Sequence, residues 1–229
     1  MPDSTEAKGH RGGALAMPQA FSPPLPTPRG ALPLLGHLLP LLRAPLALLA
    51  LLALLAQHPD VAHPLRTEVD TVLDGWTAAY DDLPRLHLTA RVVNETLRLW
   101  PPVWAVPRVV TTDTRLGGHD LPAGTLVVYS PYLVHLRPEL YGDPERLDPD
   151  RWMPGPTAPP REACVPFGGG ARKCIGDTFG LTEATLALAT ITHHWHLEPL
   201  PGQRVRRPVP GGTLRPSPFR MRAIRRPWR

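Results

Sequence analysis

The sequence predicts a mainly α-helical protein with small β-sheets, an α+β chain, on three observations. Residues 61–73 and 86–100 place apolar residues at helical spacing, and residues 175–195 are a long run rich in Ala, Leu and Thr. Between the second and third of these stretches, β-branched runs are broken by glycine turns, the pattern of short strands. Proline accounts for 32 of 229 residues, against a usual share of roughly 5%, so no helical bundle runs from end to end. The length suits one or two domains with a buried core. Two cysteines exclude a disulfide-stapled secreted scaffold and a four-thiolate metal site.

Residues 1–30 are polar and then Pro-rich (SPPLPTPRG), and are expected to form a disordered or extended lead-in. They lack the basic start, short apolar core and cleavage site of a signal peptide. Residues 31–56 are the most apolar part of the chain, interrupted by Pro33, Pro40, Arg43 and Pro45. The remaining run, Leu46–Ala56, is too short to span a bilayer alone, so a buried helix end is favoured. Membrane contact through 31–56 is the runner-up. No acidic residue lies between Glu6 and Asp60, and no Ser or Thr between Thr27 and Thr67.

Val61–Leu73 reads as an amphipathic helix with Glu68 and Asp70 facing outward and Gly75 as its stop. Tyr80–Pro84 is a turn with an acidic start. Leu86–Trp100 is a helix ended by Pro101 and Pro102, neither of which can donate to the preceding turn. Residues 106–130 hold the strand-forming runs Val109–Thr112 and Thr125–Tyr129 around Gly117, Gly118 and Gly124. Residues 137–166, dense in Pro, Asp and Arg, are expected to be an ordered, irregular loop. Ile175–Trp195 is a long helix, and short strands are expected near Thr213–Arg215 and Phe219–Ile224.

The last 31 residues carry nine of the 25 basic side chains and no acid, which leaves the rest of the chain mildly acidic. A basic tail suits nucleic acid or anionic membrane, and Arg-rich coding is also a habit of some proteomes. Only Phe219 and Trp228 interleave it with aromatic rings, so nucleic acid is not expected as a partner. A cytoplasmic location is expected, with a peripheral membrane location as the alternative.

The chemistry concentrates in Phe167-Gly168-Gly169-Gly170-Ala171-Arg172-Lys173-Cys174-Ile175-Gly176. Consecutive glycines adopt backbone angles closed to other residues and let a flat group lie against the main chain. A cysteine just before a helix sees the positive end of the dipole and free N–H donors, which favours its thiolate. Glu95 and Arg98, three apart on a helix, share one face. Taken alone they would read as a surface ion pair of little consequence.

The pattern F-x-x-G-x-R-x-C-x-G resembles the heme-thiolate signature of the cytochrome P450 family, with a match at every signature position. The resemblance implies heme b, iron protoporphyrin IX, held through Cys174 as axial ligand, whose electron donation favours O–O cleavage. Phe167 would shield the sulfur, with Gly168, Gly170 and Gly176 shaping the loop. Backbone N–H groups after Cys174 would tune the potential. Asp148-Pro149-Asp150-Arg151-Trp152 follows at the family's usual distance, so Glu95, Arg98 and Arg151 resemble the family's Glu-Arg-Arg triad. Such a network is credited with geometric specificity more than with net stability. Arg108 and Arg172 match positions that bind heme propionates, which suits guanidinium forks. Trp104, Ala105 and Val106, together with Thr213 in the turn Gly211-Gly212-Thr213, fall where substrate contacts are expected. Core packing is an equal reading of the first three. His135 occupies the family's usual "His-Arg" spot, with Leu136 in place of the common Arg. Cys164 reads as a buried thiol outside the signature. His193, His194 and His196 match no ligand motif and read as solvated histidines at a helix end.

The resemblance implies the C-terminal half of the family's fold, a proximal heme-binding half-domain over residues 57–229. It covers about residues 50–226, and residues 22–48 resemble the start of some members. A full-length member is roughly twice as long, so two pieces are expected to join near residues 45–50. The family places an acid or amide beside a Thr on its central helix to deliver protons to bound dioxygen. Here that place reads LALLALLALLA, so no catalytic residue is identified. Two functions follow from the resemblance. One is a monooxygenase inserting one oxygen atom of dioxygen into a hydrophobic small molecule, with electrons from a ferredoxin or flavoprotein reductase. The other is a truncated, catalytically inactive heme-binding remnant. The FGGGARKCIGDTFG text is similar to that of soluble actinobacterial members, including terpene oxidases.

Overall fold

Leucine and alanine fill Leu46–Leu55 and produce a helix, α1, whose Leu48, Ala50, Leu51, Ala53 and Leu54 are all buried. In this computed structural model the described residues are 46–156, 158–202, 213–214 and 216–227. The readings of the lead-in 1–30, of residues 31–45 and of Gly211, Gly212, Arg215 and Trp228 fall outside them. Helix α2 (Pro59–Leu73) buries Val61, Leu65, Val69 and Leu73, the four-residue spacing that the sequence predicts. It ends with Asp74 in the left-handed region (φ 41°) and Gly75 at φ 93°. A 3-10 turn, Tyr80–Arg85, leads into α3 (His87–Leu99), which buries eight residues. Helix α4 (Pro131–His135) is short, and α5 (Asp177–His194) is the longest element among the described residues.

Helices α1, α2, α3 and α5 pack on one another. Their shared core is Leu51, Leu54, Val61, Leu65, Val92, Val93, Leu97, Leu99, Leu147 and Leu188. Full burial of each such side chain contributes about 1.5–3 kcal/mol before chain entropy is subtracted. No described helix is long and apolar enough to cross a membrane.

Three two-stranded antiparallel sheets complete the described fold. Strand β1 (Val106–Val109) pairs with β4 (Leu126–Tyr129), β2 (Thr114–Leu116) with β3 (His119–Leu121), and β5 (Trp195–Pro199) with β6 (Met221–Arg225). Between α4 and α5 the helical elements among the described residues are 3-10 turns, at Pro149–Trp152, Arg161–Ala163 and Gly170–Arg172, as the proline content of the segment predicts.

Three expectations need correction. Glu68 does not face outward. Its carboxylate accepts the N–H groups of Leu88 (2.6 Å) and Thr89 (2.8 Å) and the Thr89 hydroxyl (2.7 Å). The helix α3 has no side-chain cap of its own, so an acid from α2 satisfies its first turn. Asp70 is also engaged, gripped by both terminal nitrogens of Arg226 at 2.8 and 2.6 Å and approached by His193 Nδ1 at 3.2 Å. Thr213 and Leu214 form no strand. Instead the Leu214 N–H donates to the Pro102 carbonyl at 2.9 Å.

Candidate functional site

The end of α3 carries the centre of the polar network. Glu95 and Arg98 are both fully buried. Arg98 donates from Nε and Nη2 to the two Glu95 carboxylate oxygens, each at 2.8 Å. Its remaining donors reach backbone carbonyls, with Nη1 bonding His135 (2.8 Å) and Pro144 (2.7 Å) and Nη2 bonding Arg146 (3.2 Å). Tyr141 presents its ring to the guanidinium at 4.8 Å. Every one of these partners lies beyond α3 in sequence, so one side chain fixes the path of the loop from His135 to Arg146.

Glu95 is equally occupied. Besides Arg98, it accepts from the Asp148 N–H (3.0 Å) and from the Trp152 indole N–H (3.0 Å). Arg151 joins as an ion pair, with Nε 3.4 Å from Glu95 Oε1 but without hydrogen-bond geometry, and with Nη2 donating to the Asp143 carbonyl at 2.7 Å. The three residues expected as a triad are therefore brought together. Trp152 was not singled out in the sequence, though it directly follows Arg151.

His135 ends α4 and is fully buried. Its Nδ1 lies 3.0 Å from the Arg98 carbonyl oxygen, and its Nε2 accepts the Val165 N–H at 2.8 Å. Burial pulls its pKa down to about 4, with the Arg98 charge adding to the effect and the bond to the Arg98 carbonyl opposing it. The ring is therefore neutral across the physiological range. Nearby, burial pushes the Cys164 thiol up to about 12, the Glu95 charge adding to this and Arg98 opposing it. The sequence reads Cys164 as a buried thiol, and the structure leaves the residue half-buried.

From Val165 the chain enters the Cys174 loop. The Gly168 N–H donates to the Val165 carbonyl (3.0 Å), and the Cys174 N–H to the Phe167 carbonyl (2.9 Å). Gly168 sits at φ +74°, which favours glycine, and an added Cβ there would crowd the Tyr129 hydroxyl at 3.3 Å. Gly170, at φ +65°, opens the next turn. The Phe167 ring lies over Gly180 of α5, 3.8 Å from where a Cβ would be. Gly176 precedes α5, and a Cβ there would meet Cys174 Sγ at 3.9 Å. Lys173 pairs with Asp177 in the first turn of α5. Cys174 itself is exposed, and beside it Ile175 and Phe179 are exposed as well.

Arg108 is exposed on β1 and lies over the Tyr129 ring, 6.0 Å from its centre. The register pairs Arg108 with Val127 and Val106 with Tyr129, so all four side chains share one sheet face. Tyr129, absent from the sequence reading, thus touches both Arg108 and the Gly168 turn. Arg172 ends the turn Gly170–Arg172 and is exposed, and no described contact joins it to Arg108. Trp104, Ala105 and Val106 are half-buried, and the Ser130 hydroxyl donates to the Trp104 carbonyl. The bond from Leu214 to Pro102 brings half-buried Thr213 alongside this segment.

The histidines at the end of α5 are not simply solvated. The side chain of His193 is 11% exposed and bound to Asp70, its ring stands edge-on to His194, and His196 lies on β5 beside Glu198. Among the described residues no three His, Cys, Asp or Glu side chains converge as a metal site.

The donor set at Cys174 fits a flat, apolar, thiolate-ligated group. It offers one accessible sulfur, exposed apolar neighbours at Ile175 and Phe179, and a glycine turn whose main chain is open to close approach.

The cytochrome P450 family model matches residues 46–222. Cyclooctatin synthase of Streptomyces melanosporofaciens is 48% identical over 169 residues, covering 73% of this chain and 37% of that protein. Pentalenene oxygenase of Streptomyces avermitilis is 46% identical over 174 residues, covering 76% of this chain and 39% of that protein. Among solved structures, the heme domain of a cytochrome P450DA mutant superposes with a TM-score of 0.72 at 30% identity, covering 80% of this chain and 42% of that one. The chain thus spans well under half the length of the relatives it matches. With a family match over residues 46–222 and the buried Glu95–Arg98 pair joined by Arg151, this chain belongs to the cytochrome P450 family.

Proposed function

We propose that the chain is a heme-thiolate protein of monooxygenase type, with Cys174 as the axial ligand of heme b. The observation that carries the reading is the exposed Cys174 thiol, held just before α5 on a loop bonded back to Phe167 and flanked by exposed Ile175 and Phe179. In that role Cys174 donates electron density, Ile175 and Phe179 lie against the flat apolar ring, and the Phe167 ring closes one side of the sulfur. Arg108 and Arg172 pair with the propionates, Arg108 being braced by Tyr129. When bound, the heme supplies the binding and reductive activation of dioxygen.

The substrate side of this reading takes Trp104, Ala105, Val106 and Thr213, and the Leu214–Pro102 bond, formed next to Thr213 and just before Trp104, supports it. These groups suit an apolar small molecule, as do the names of the relatives, among them a cyclooctat-9-en-7-ol 5-monooxygenase of Streptomyces melanosporofaciens. A ferredoxin or flavoprotein reductase would supply electrons, in the cytoplasm.

A specific observation favours a second reading, heme binding without oxygenation. Every residue of α1 is Leu or Ala, and no Ser, Thr, Asp or Glu occurs from residue 28 to residue 59. No hydroxyl or carboxylate in that segment can hold a proton for dioxygen.

The test is a reduced-minus-carbon-monoxide difference spectrum of the heme-loaded chain. The Soret band of thiolate-ligated heme is expected in the wild type and lost in Cys174→Ala. Failure to take up heme overturns the proposal. Product formation from an apolar substrate with surrogate redox partners then separates the two readings, since turnover supports the first and its absence in a heme-loaded chain the second.

A further inference from the structure

We propose that His135 is a positioning residue for the Cys174 loop, clamping the start of that loop to the last turn of α3 through the Arg98 carbonyl and the Val165 N–H. The consequence for Cys174 as a ligand rests on the heme-thiolate reading, whereas the clamp itself does not.

His135 has no exposed surface, and both ring nitrogens are directed at backbone groups of different segments. The Val165 N–H can only donate, so Nε2 presents its lone pair and the neutral ring carries its proton on Nδ1. That proton faces the Arg98 carbonyl oxygen at 3.0 Å, an acceptor in the last turn of α3, where helical carbonyls lack intrahelical partners. The other tautomer would set N–H against N–H and lone pair against lone pair. The connection is also reciprocal, because Arg98 Nη1 donates to the His135 carbonyl at 2.8 Å. Arg98 and His135 therefore exchange two bonds in opposite senses.

Both ends of α4 are fixed. Ser130 caps it through Leu133 and anchors it to the Trp104 carbonyl, and His135 closes it. Downstream, Val165 accepts from Gly168 and Phe167 accepts from Cys174. The route from the Glu95–Arg98 pair to the Cys174 backbone thus runs through one imidazole ring and two loop hydrogen bonds. A buried apolar residue could fill the same volume, but it would take the imidazole bonds away from the Val165 N–H and the Arg98 carbonyl.

The experiment uses the full chain. In the wild type, ring-nitrogen NMR is expected to show a neutral His135 with the proton on Nδ1. A proton on Nε2 overturns the proposal, and this measurement decides alone if the variants fail to fold. Two variants separate the bonds: His135→Asn keeps a donor toward Arg98 but cannot reach Val165, and His135→Gln places an acceptor toward Val165. In His135→Asn, amide exchange at Val165 and Cys174 is expected to rise by about tenfold relative to Leu97 on α3, and His135→Gln should restore most of it. Exchange that rises equally on α3 and the loop, or only on α3, overturns the clamp. If no form takes up heme while the loop exchange changes as expected, the heme reading fails and the clamp stands. If heme is bound normally and the exchange is unchanged, the clamp fails and the heme reading stands.

Discussion

Trp152 donates its indole N–H to Glu95 Oε2 at 3.0 Å, across 57 residues of sequence. With Arg98 and the Asp148 N–H, this bond brings the hydrogen bonds on one buried carboxylate to four. Trp152→Phe keeps most of the volume and removes one donor to a charged acceptor, so a loss of about 2 kcal/mol is expected. Arg98→Lys forfeits the fork on Glu95 and the carbonyl bonds to the loop, and should cost more, about 3–5 kcal/mol. Urea unfolding with an unchanged denaturant slope measures both, and the reverse order would refute this account of the network.

Glu68 caps a helix to which it does not belong. Glu68→Ala removes the acceptor for Leu88 and Thr89 and should cost about 1–2 kcal/mol, as losing an N-cap does. The faster amide exchange that follows should be confined to the first turn of α3. Uniform exchange along α3 would show that Glu68 acts some other way.

His135 ties stability to pH. Its pKa falls from 6.5 to about 4 on folding, so as pH drops the unfolded chain takes up a proton before the folded one. Its contribution is complete above 6.5 and lost progressively toward 4, by up to about 3 kcal/mol. The Asp70 carboxyl adds a further loss at lower pH. Burial raises its pKa, but bonding to Arg226 and His193 outweighs that and holds it below the ordinary carboxylate value. Unfolding free energies against pH should show the steeper fall between 6.5 and 4 in the wild type and not in His135→Gln.

The two thiols should separate in reactivity. Cys174 is exposed, while burial pushes Cys164 up to about 12, where almost no thiolate exists at neutral pH. One thiol should react rapidly in the folded, heme-free chain and both after denaturation, with Cys174→Ala abolishing the fast phase. Cys174→Ala should also change stability by less than about 0.5 kcal/mol, as an exposed position does. Equal labelling of both thiols in the native state would contradict the placement of Cys164.

The signature around Cys174, the Glu95–Arg98 spacing and Arg151 were legible because each is a local pattern whose residue types and intervals survive without coordinates. The helices α2 and α3 were legible for the same reason, since apolar spacing at 3–4 residues is set by helical geometry alone, and α5 was legible from its long run rich in Ala, Leu and Thr. Glu68 and Asp70 were misread because a helical pattern assigns an acid to the outer face, whereas here the uncapped start of α3 and the guanidinium of Arg226 lie against that face. Tyr129 was missed because its partners, Arg108 and Gly168, are set by strand register and loop packing. His135 was noticed by position alone. By itself the sequence determined the family and the helices α2, α3 and α5, all of which rest on residues close together in the chain. Only the tertiary structure decided which backbone groups Arg98, His135 and Glu68 satisfy, because a buried polar side chain takes the unpaired N–H or carbonyl that folding brings to it.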